Sequence, residues 1–393
     1  MKTERRQQIY KLAAELADEF GKRAAIHEAA GTFPYENYED LRQSGYLKLS
    51  IPEEYGGWGA SLAEIVAGQA RMGEGCASTA LTVTMHLSQI GRAIQTGNWS
   101  KAQLESVLHN VVTKGALLNN AASEPATGSP SRGGIPTTTA TFDPTSGGWR
   151  INGRKTYTTG APILHYFMIT AAVQHPETPE GTPPKVGSFL LTREMPGLRI
   201  EETWNSLAMR LSGSHDLVLE EVQVGPEAYL GPNQKGTPQQ QACSGAWGLP
   251  TAAIYFGVGR AAAKYVAQWA RERVPNSLNK PISELQHIQE KAGQMELALL
   301  SAENTLFKVT ELASDSAYIE TQPARLAALV GATKYLVTNE AIKAVDLAMR
   351  ICGGASLSMD LPLQRYYRDS RAGLGNPPMD DATILALGKL ALQ

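Results

Sequence analysis

Between Leu285 and Val309 the apolar residues Leu285, Ile288, Ala292, Met295, Leu299, Ala302, Leu306 and Val309 follow one another at alternating steps of three and four. That spacing puts them on one stripe of a single α-helix, roughly 37 Å long at 1.5 Å per residue. A helix of this length cannot bury its stripe alone, so the chain must supply partners. Two more helical stretches, 250–272 and 322–351, flank it, and a short terminal helix follows Pro378. The expected arrangement is an antiparallel four-helix bundle.

The rest of the chain divides by texture. Up to Lys114, segments such as SLAEIVAGQARMGEG and TALTVTMHLSQIGRAIQTG keep apolar residues three and four apart, which predicts helix. From Gly115 to Gly231 short alternating runs (TTTATF, WRING, YFMITAAV, GSFLLT, HDLVLEEVQV) stand between Pro and Gly punctuation, which predicts strands. Within them QHPETPEGTPPKVG reads as a polar, Pro-rich hairpin tip. The expected fold class is therefore α+β: an N-terminal α-helical domain over 1–114, a middle β domain over 115–231 and a C-terminal helical bundle over 232–393. No βα alternation and no GxGxxG after a strand occurs, which disfavours a Rossmann fold. No internal repeat of fixed period is present.

Charge narrows the function. Lys+Arg number 36 against Asp+Glu 38, a net charge of -2, so no summed field draws the chain to nucleic acid or an anionic membrane. A small-molecule substrate is the better expectation. Cys76, Cys243 and Cys352 are too few and scattered for a disulfide framework or a metal site. The first residues alternate charge with apolar side chains, as an amphipathic helix does and a signal peptide does not. No later run approaches the roughly 18 apolar residues of a membrane span. These features predict a soluble, cytoplasmic protein.

Three separated segments carry a resemblance. Ala121-Ala122-Ser123-Glu124-Pro125-Ala126-Thr127-Gly128-Ser129, followed by Asn152-Gly153-Arg154-Lys155-Thr156-Tyr157-Thr158-Thr159-Gly160, is similar to the paired flavin-binding stretches TEPxAGS and NGxKxxITN of the acyl-CoA dehydrogenase family. Trp204 to Asp216 resembles its WxxxGMRxTGSxD run. Lys280 to Gln286, Cys352-Gly353-Gly354 and Leu361 to Asp369 resemble its C-terminal motifs. The resemblance implies a flavoprotein with bound FAD. Tyr157 would flank the isoalloxazine ring, and Thr158 and Thr159 would set donors at its N5 and O4 rim, where negative charge develops on reduction. Ala122, Ser123 and Ser129 would line the opposite rim. Gln286, Gly353 and Gly354 would reach the adenine end across a subunit interface, so a homodimer or homotetramer is implied. Taken without the family, Tyr157 to Thr159 are ordinary residues of high β propensity, and Gly353-Gly354 is a helix-ending turn.

The same resemblance breaks at the catalytic base. The position of the family's glutamate after Arg368-Asp369 falls on Pro377, and its alternative position falls near Leu249. Asp380 and Asp381 are the nearest carboxylates, and they also read as the cap and first turn of the last helix. The family's Arg-x-x-Phe is replaced by Pro275-Asn276-Ser277-Leu278, and Arg350 stands where glutamine is common, which brings FMN in as the alternative cofactor. The Phe-Asp-x-x-Arg element that helps hold coenzyme A gives way to Cys243 through Pro250. Tyr157-Thr158-Thr159-Gly160-Ala161 is similar to the Tyr-Ser-Thr-Gly stretch of the dibenzothiophene monooxygenase branch. There a hydroxyl and a histidine support the reaction of reduced flavin with oxygen, and Thr158 and His86 are the candidates here. A lone histidine on an apolar helix is otherwise a satisfied core residue.

Three expectations follow. The first is α,β-oxidation of an acyl thioester, with Asp380 as the candidate base and an electron-transfer flavoprotein as partner. The alternative is a two-component monooxygenase fed by a flavin reductase. The third is a flavin- or acyl-binding protein without catalysis.

Overall fold

The computed structural model describes residues 4–128, 133–177, 179, 181–233 and 236–392. Five helices come first: α1 (Glu4–Ala30), α2 (Tyr35–Gln43), α3 (Leu62–Gly75), α4 (Ala77–Thr96) and α5 (Lys101–Lys114). Their ends follow local chemistry. Ser61 and Glu64 form a capping box on α3, and Ser100 and Gln103 form one on α5, so orphan N–H groups at both N-termini are satisfied. Gly97 and Gly115 end α4 and α5 in the left-handed conformation.

Eight strands follow: β1 (Leu118–Ala121), β2 (Thr139–Asp143), β3 (Gly148–Thr158), β4 (Tyr166–Gln174), β5 (Lys185–Thr192), β6 (Leu198–Glu201), β7 (His215–Val224) and β8 (Tyr229–Pro232). They form one sheet in the order β6-β7-β3-β2-β4-β5-β8, with β1 added parallel to β4. β4 and β5 pair antiparallel from Tyr166↔Thr192 to Val173↔Lys185, so the two strands are the arms of a hairpin.

The chain then returns to helix in α6 (Pro238–Ala246), α7 (Leu249–Glu272), α8 (Gln286–Leu312), α9 (Ser316–Thr321), α10 (Pro323–Cys352), α11 (Leu363–Gly375) and α12 (Asp380–Ala391). On α8 the stripe residues Ile288, Met295, Leu299, Ala302, Leu306 and Val309 are buried, and α8 packs on α7 and α10. α11 completes the bundle against α7 and α10. It escapes a hydrophobicity reading because its buried residues are Leu363, Arg365, Asp369, Ser370 and Gly373: the inward face is mostly polar or glycine. Cys76 and Cys352 are buried free thiols, and Cys243 is a half-buried one. Among the described residues no helix is long and apolar enough to cross a membrane, and no His/Cys/Asp/Glu group could hold a metal.

The N-terminal helices and the bundle share one core. α3 packs along α7, and their backbones approach so closely that a Cβ added at Gly257 would overlap the Ala70 carbonyl, while one at Gly73 would overlap that of Ile254. Gly257→Ala should therefore lower stability by about 1–3 kcal/mol through overpacking, despite the better helix propensity of alanine. Urea unfolding measures it, and an unchanged or raised midpoint would contradict the close approach.

Candidate functional site

The first two motif segments are joined by a buried ion pair. β3 carries Lys155 into the interior, where its Nζ donates to Glu124 Oε1 at 2.6 Å and to the Thr170 carbonyl at 2.6 Å. Both side chains of the pair are wholly buried. Glu124 also accepts from the Thr137 N–H at 2.6 Å, the Thr137 hydroxyl at 2.6 Å and the Thr138 N–H at 3.1 Å. Burial alone would raise its pKa, but the hydrogen bonds from Lys155, Thr137 and Thr138 and the lysine's charge outweigh that and hold it at about 2. Next to this anchor the Thr156 N–H donates to the Ser123 carbonyl at 2.9 Å, which ties the Ala122-Ser123 loop to the end of β3. Ala122 and Ser123 are half-buried there.

Beyond that clamp the backbone is strained. Tyr157 takes φ +56, a left-handed conformation that an aromatic L-residue rarely adopts. The residue is 65% exposed and its ring meets Trp204 edge-on at 6.1 Å, so two aromatics stand at an open surface. Thr158 is fully buried, and its hydroxyl has no hydrogen-bond partner. Thr159 contacts the Ser214 hydroxyl at 3.0 Å, and its carbonyl accepts from Asn119 Nδ2 at 2.9 Å.

The Trp204 loop is held from the bundle. Trp204 Nε1 donates to the Met209 carbonyl at 3.0 Å, and Met209, itself at φ +53, donates its N–H to Asp369 Oδ1 at 2.7 Å. Arg368 donates to the Leu207 carbonyl and to Glu28 Oε2, each at 2.8 Å. Burial pushes the Asp369 carboxyl up to about 6, against the Met209 N–H and the guanidinium charges of Arg365 and Arg368. The Arg-Asp pair of α11 thus positions the loop that presents Trp204. Both residues belong to the Leu361 to Asp369 motif, whose letters carry no sign of this contact to a distant loop.

His86 lies elsewhere. It is fully buried on α4; its Nε2 contacts the Leu47 carbonyl at 2.9 Å, and the Leu118 N–H donates to its Nδ1 at 3.1 Å. An N–H pointed at Nδ1 requires an acceptor there, so the proton sits on Nε2 and both nitrogens are engaged. Burial lowers its pKa to about 4. The neighbouring Leu117 N–H donates to His165 Nδ1 at 3.2 Å, so two histidines take consecutive amides at the start of β1. The geometry is that of a core histidine anchoring a strand.

Asp380 opens α12, with Met379, not Asp380, in the cap position and no side-chain cap bond. Its carboxylate meets Lys334 Nζ at 3.4 Å and Asn339 Nδ2 at 3.1 Å, which ties α12 to α10. Leu249 begins α7 and is buried. Asn376, just before Pro377, accepts from the Tyr255 hydroxyl. Gln286, Gly353 and Gly354 are exposed. Because α8 and α10 run antiparallel around the short α9, the start of one and the end of the other share one end of the bundle. Gln286 bonds Glu290 within its own helix at 3.0 Å, and Gly353 has φ +72. Ser129 lies outside the described residues.

The end of β3 offers group types that a flavin ring would need, two aromatics at an open surface and the half-buried hydroxyl of Thr159, whereas the orphaned Thr158 hydroxyl is enclosed. The comparisons with known proteins agree in class. Models of the acyl-CoA dehydrogenase N-terminal, middle and C-terminal domains match residues 3–114, 119–222 and 249–374. The chain is 43% identical to "Putative acyl-CoA dehydrogenase YdbM" of Bacillus subtilis over 382 residues, 96% of this chain and 95% of that one. It belongs to the acyl-CoA dehydrogenase family of flavin-dependent enzymes. The amino sugar nitrososynthase DnmZ of Streptomyces peucetius is 26% identical, covering 88% of this chain and 83% of its own. FMN-bound TdsC from Paenibacillus sp. A11-2 superposes with a TM-score of 0.87 at 23% identity, over 98% of this chain and 97% of that one, a likeness of fold.

Proposed function

We propose that this chain is a two-component monooxygenase, which takes reduced flavin from a separate reductase and transfers one oxygen atom of O2 to a carbon, nitrogen or sulfur centre of a small substrate. The other oxygen atom leaves as water, with the two electrons supplied by the reduced flavin when it is bound. The observation that carries the reading is the commitment of the carboxylates. An acyl thioester gives up its α-proton only to a base, and by resemblance the two family positions for one fall on Pro377 and near Leu249. Glu124 is locked to Lys155, Asp369 to the Met209 N–H, and Asp380 to Lys334 and Asn339. Oxygen transfer needs no such base. DnmZ, named a nitrososynthase, and FMN-bound TdsC support the same branch.

Tyr157 and Trp204 would cover the ring and Thr159 would offer its hydroxyl to the polar edge, while the wholly buried Thr158 hydroxyl would sit behind it. FMN is the favoured flavin, because Pro275 to Leu278 and Arg350 replace family residues, and Arg350 is spent on Asp346 at 2.7 Å. The test mixes protein with reduced FMN and air and measures peroxide release. Protein that suppresses peroxide release in the presence of an oxygen-accepting substrate supports the proposal. Anaerobic bleaching of bound flavin by any acyl-CoA would replace it with dehydrogenation. In that case Asp380→Asn should abolish turnover; as a tie between helices it should cost only about 1 kcal/mol of stability.

A further inference from the structure

Thr159, Ser214 and Ser212 form a line of three hydroxyls. Thr159 Oγ1 lies 3.0 Å from Ser214 Oγ, which lies 2.7 Å from Ser212 Oγ. Ser212 is 0% exposed and Ser214 3%, whereas Thr159 is only half-buried. We propose that this line has a fixed direction, and that Ser212 and Ser214 are positioning residues which aim the Thr159 proton outward at the acceptor edge of a bound flavin. This inference rests on the flavin site proposed above.

The direction follows from counting protons. Each hydroxyl has one to donate and can accept in return. If Ser212 donates to Ser214 and Ser214 to Thr159, every buried proton has an acceptor and the one left over is that of Thr159, at the accessible end. Run the other way, Thr159 donates to Ser214 and Ser214 to Ser212. The Ser212 proton is then stranded in the interior, where Ser214 is the one side-chain partner described for it. A buried donor without an acceptor loses its hydration for nothing, so the outward direction wins. Backbone bonds hold the line in place: the Gly160 N–H donates to the Ser212 carbonyl at 2.8 Å, and the Thr159 N–H is spent on the Tyr157 carbonyl at 2.9 Å. The hydroxyl is therefore the donor Thr159 has left to give. Aligned hydroxyls also polarise one another, and a donor to an anionic acceptor counts for more than one to a neutral acceptor. Aimed at the carbonyl O4, which gains negative charge on reduction, and not at N5, which then carries a proton and stops accepting, the line should favour reduced over oxidised flavin.

The experiment is an anaerobic titration of FMN, reduced and oxidised, into the wild type, Thr159→Val, Ser214→Ala, Ser214→Thr and the Thr159→Val/Ser214→Ala double variant. Thermal melts would confirm that each is folded. Ser214→Ala should weaken reduced FMN about tenfold and oxidised FMN about twofold or less, and Ser214→Thr should restore both. In the Thr159→Val background Ser214→Ala should add nothing, because it acts only through Thr159. Equal losses for both redox states, no loss, or an undiminished Ser214→Ala effect in the Thr159→Val background would overturn the relay. Failure of the wild type to bind FMN in either state would instead overturn the flavin site, and that result is read before any variant is compared.

Discussion

Lys155→Met is expected to destabilise the protein by about 3–5 kcal/mol, the largest effect of any single substitution considered. The methionine fills the volume but leaves Glu124 wholly buried without its counter-charge and the Thr170 carbonyl without the donor it accepted from. Glu124→Gln should be milder, because an amide can keep one oxygen toward Lys155 and the Thr138 N–H, yet its NH2 must then confront the Thr137 N–H. The double variant Glu124→Gln/Lys155→Met removes both charges and should recover part of the loss. Urea denaturation of the four proteins gives the coupling. Strict additivity, with the double variant as unstable as the sum of the singles, would show that the pair is not the unit described. Acid should act on the same pair with a known sign. The folded-state pKa of Glu124 lies below its ordinary 4.5, so its contribution is complete above that value and fades as pH falls toward about 2. Because Thr156 and Ser123 are bonded just beside the pair, loss of flavin affinity should accompany loss of stability.

That pair marks where sequence reading stops. The α8 stripe and the alternating strands are legible because apolar burial leaves a period of about 3.6 or 2 in the chain. Glu124 and Lys155 belong to recognisable motifs, but a lysine in a strand gives no sign that it points inward. Only the register of β3, and the loop that returns Glu124 over it, shows that the motif letters are structural. α11 leaves no helical stripe in the sequence, since Arg365, Asp369 and Gly373 on its inner face mimic a solvated surface. The strained geometry of Tyr157 and Met209 is likewise invisible, because neither is the glycine that a left-handed position ordinarily demands. The cluster Ala122, Ser123, Tyr157, Thr158 and Thr159 is gathered at one end of the sheet, whereas His86 and Asp380 are each committed to partners of their own. A periodicity reports which face is buried; it does not report which polar groups have already found their partners.

His86 supplies the second large effect, and it separates structure from catalysis. Its folded pKa is about 4 against an ordinary 6.5, because burial disfavours the imidazolium. The unfolded chain therefore binds the proton first as pH falls. Stability should decline from about pH 6.5 and continue to decline until the folded-state value near 4 is reached, a total of about 3 kcal/mol for a fully buried group. His165 and His215 are also lowered by burial and slope the same way, so the measurement must be a difference. In His86→Gln the amide can still donate to the Leu47 carbonyl and accept from the Leu118 N–H, but it cannot titrate. The stability gap between wild type and variant should accordingly narrow between pH 6.5 and 4, with the wild type losing more. Parallel curves across that range would mean that the histidine is already protonated in the fold, and hence that Leu118 does not donate to it. The same variant bears on the chemistry. A neutral ring whose two nitrogens hold the α4 helix to Leu47 and to the start of β1 has no proton to trade with a substrate, so His86→Gln should leave the pH profile of turnover where it was while lowering the melting temperature.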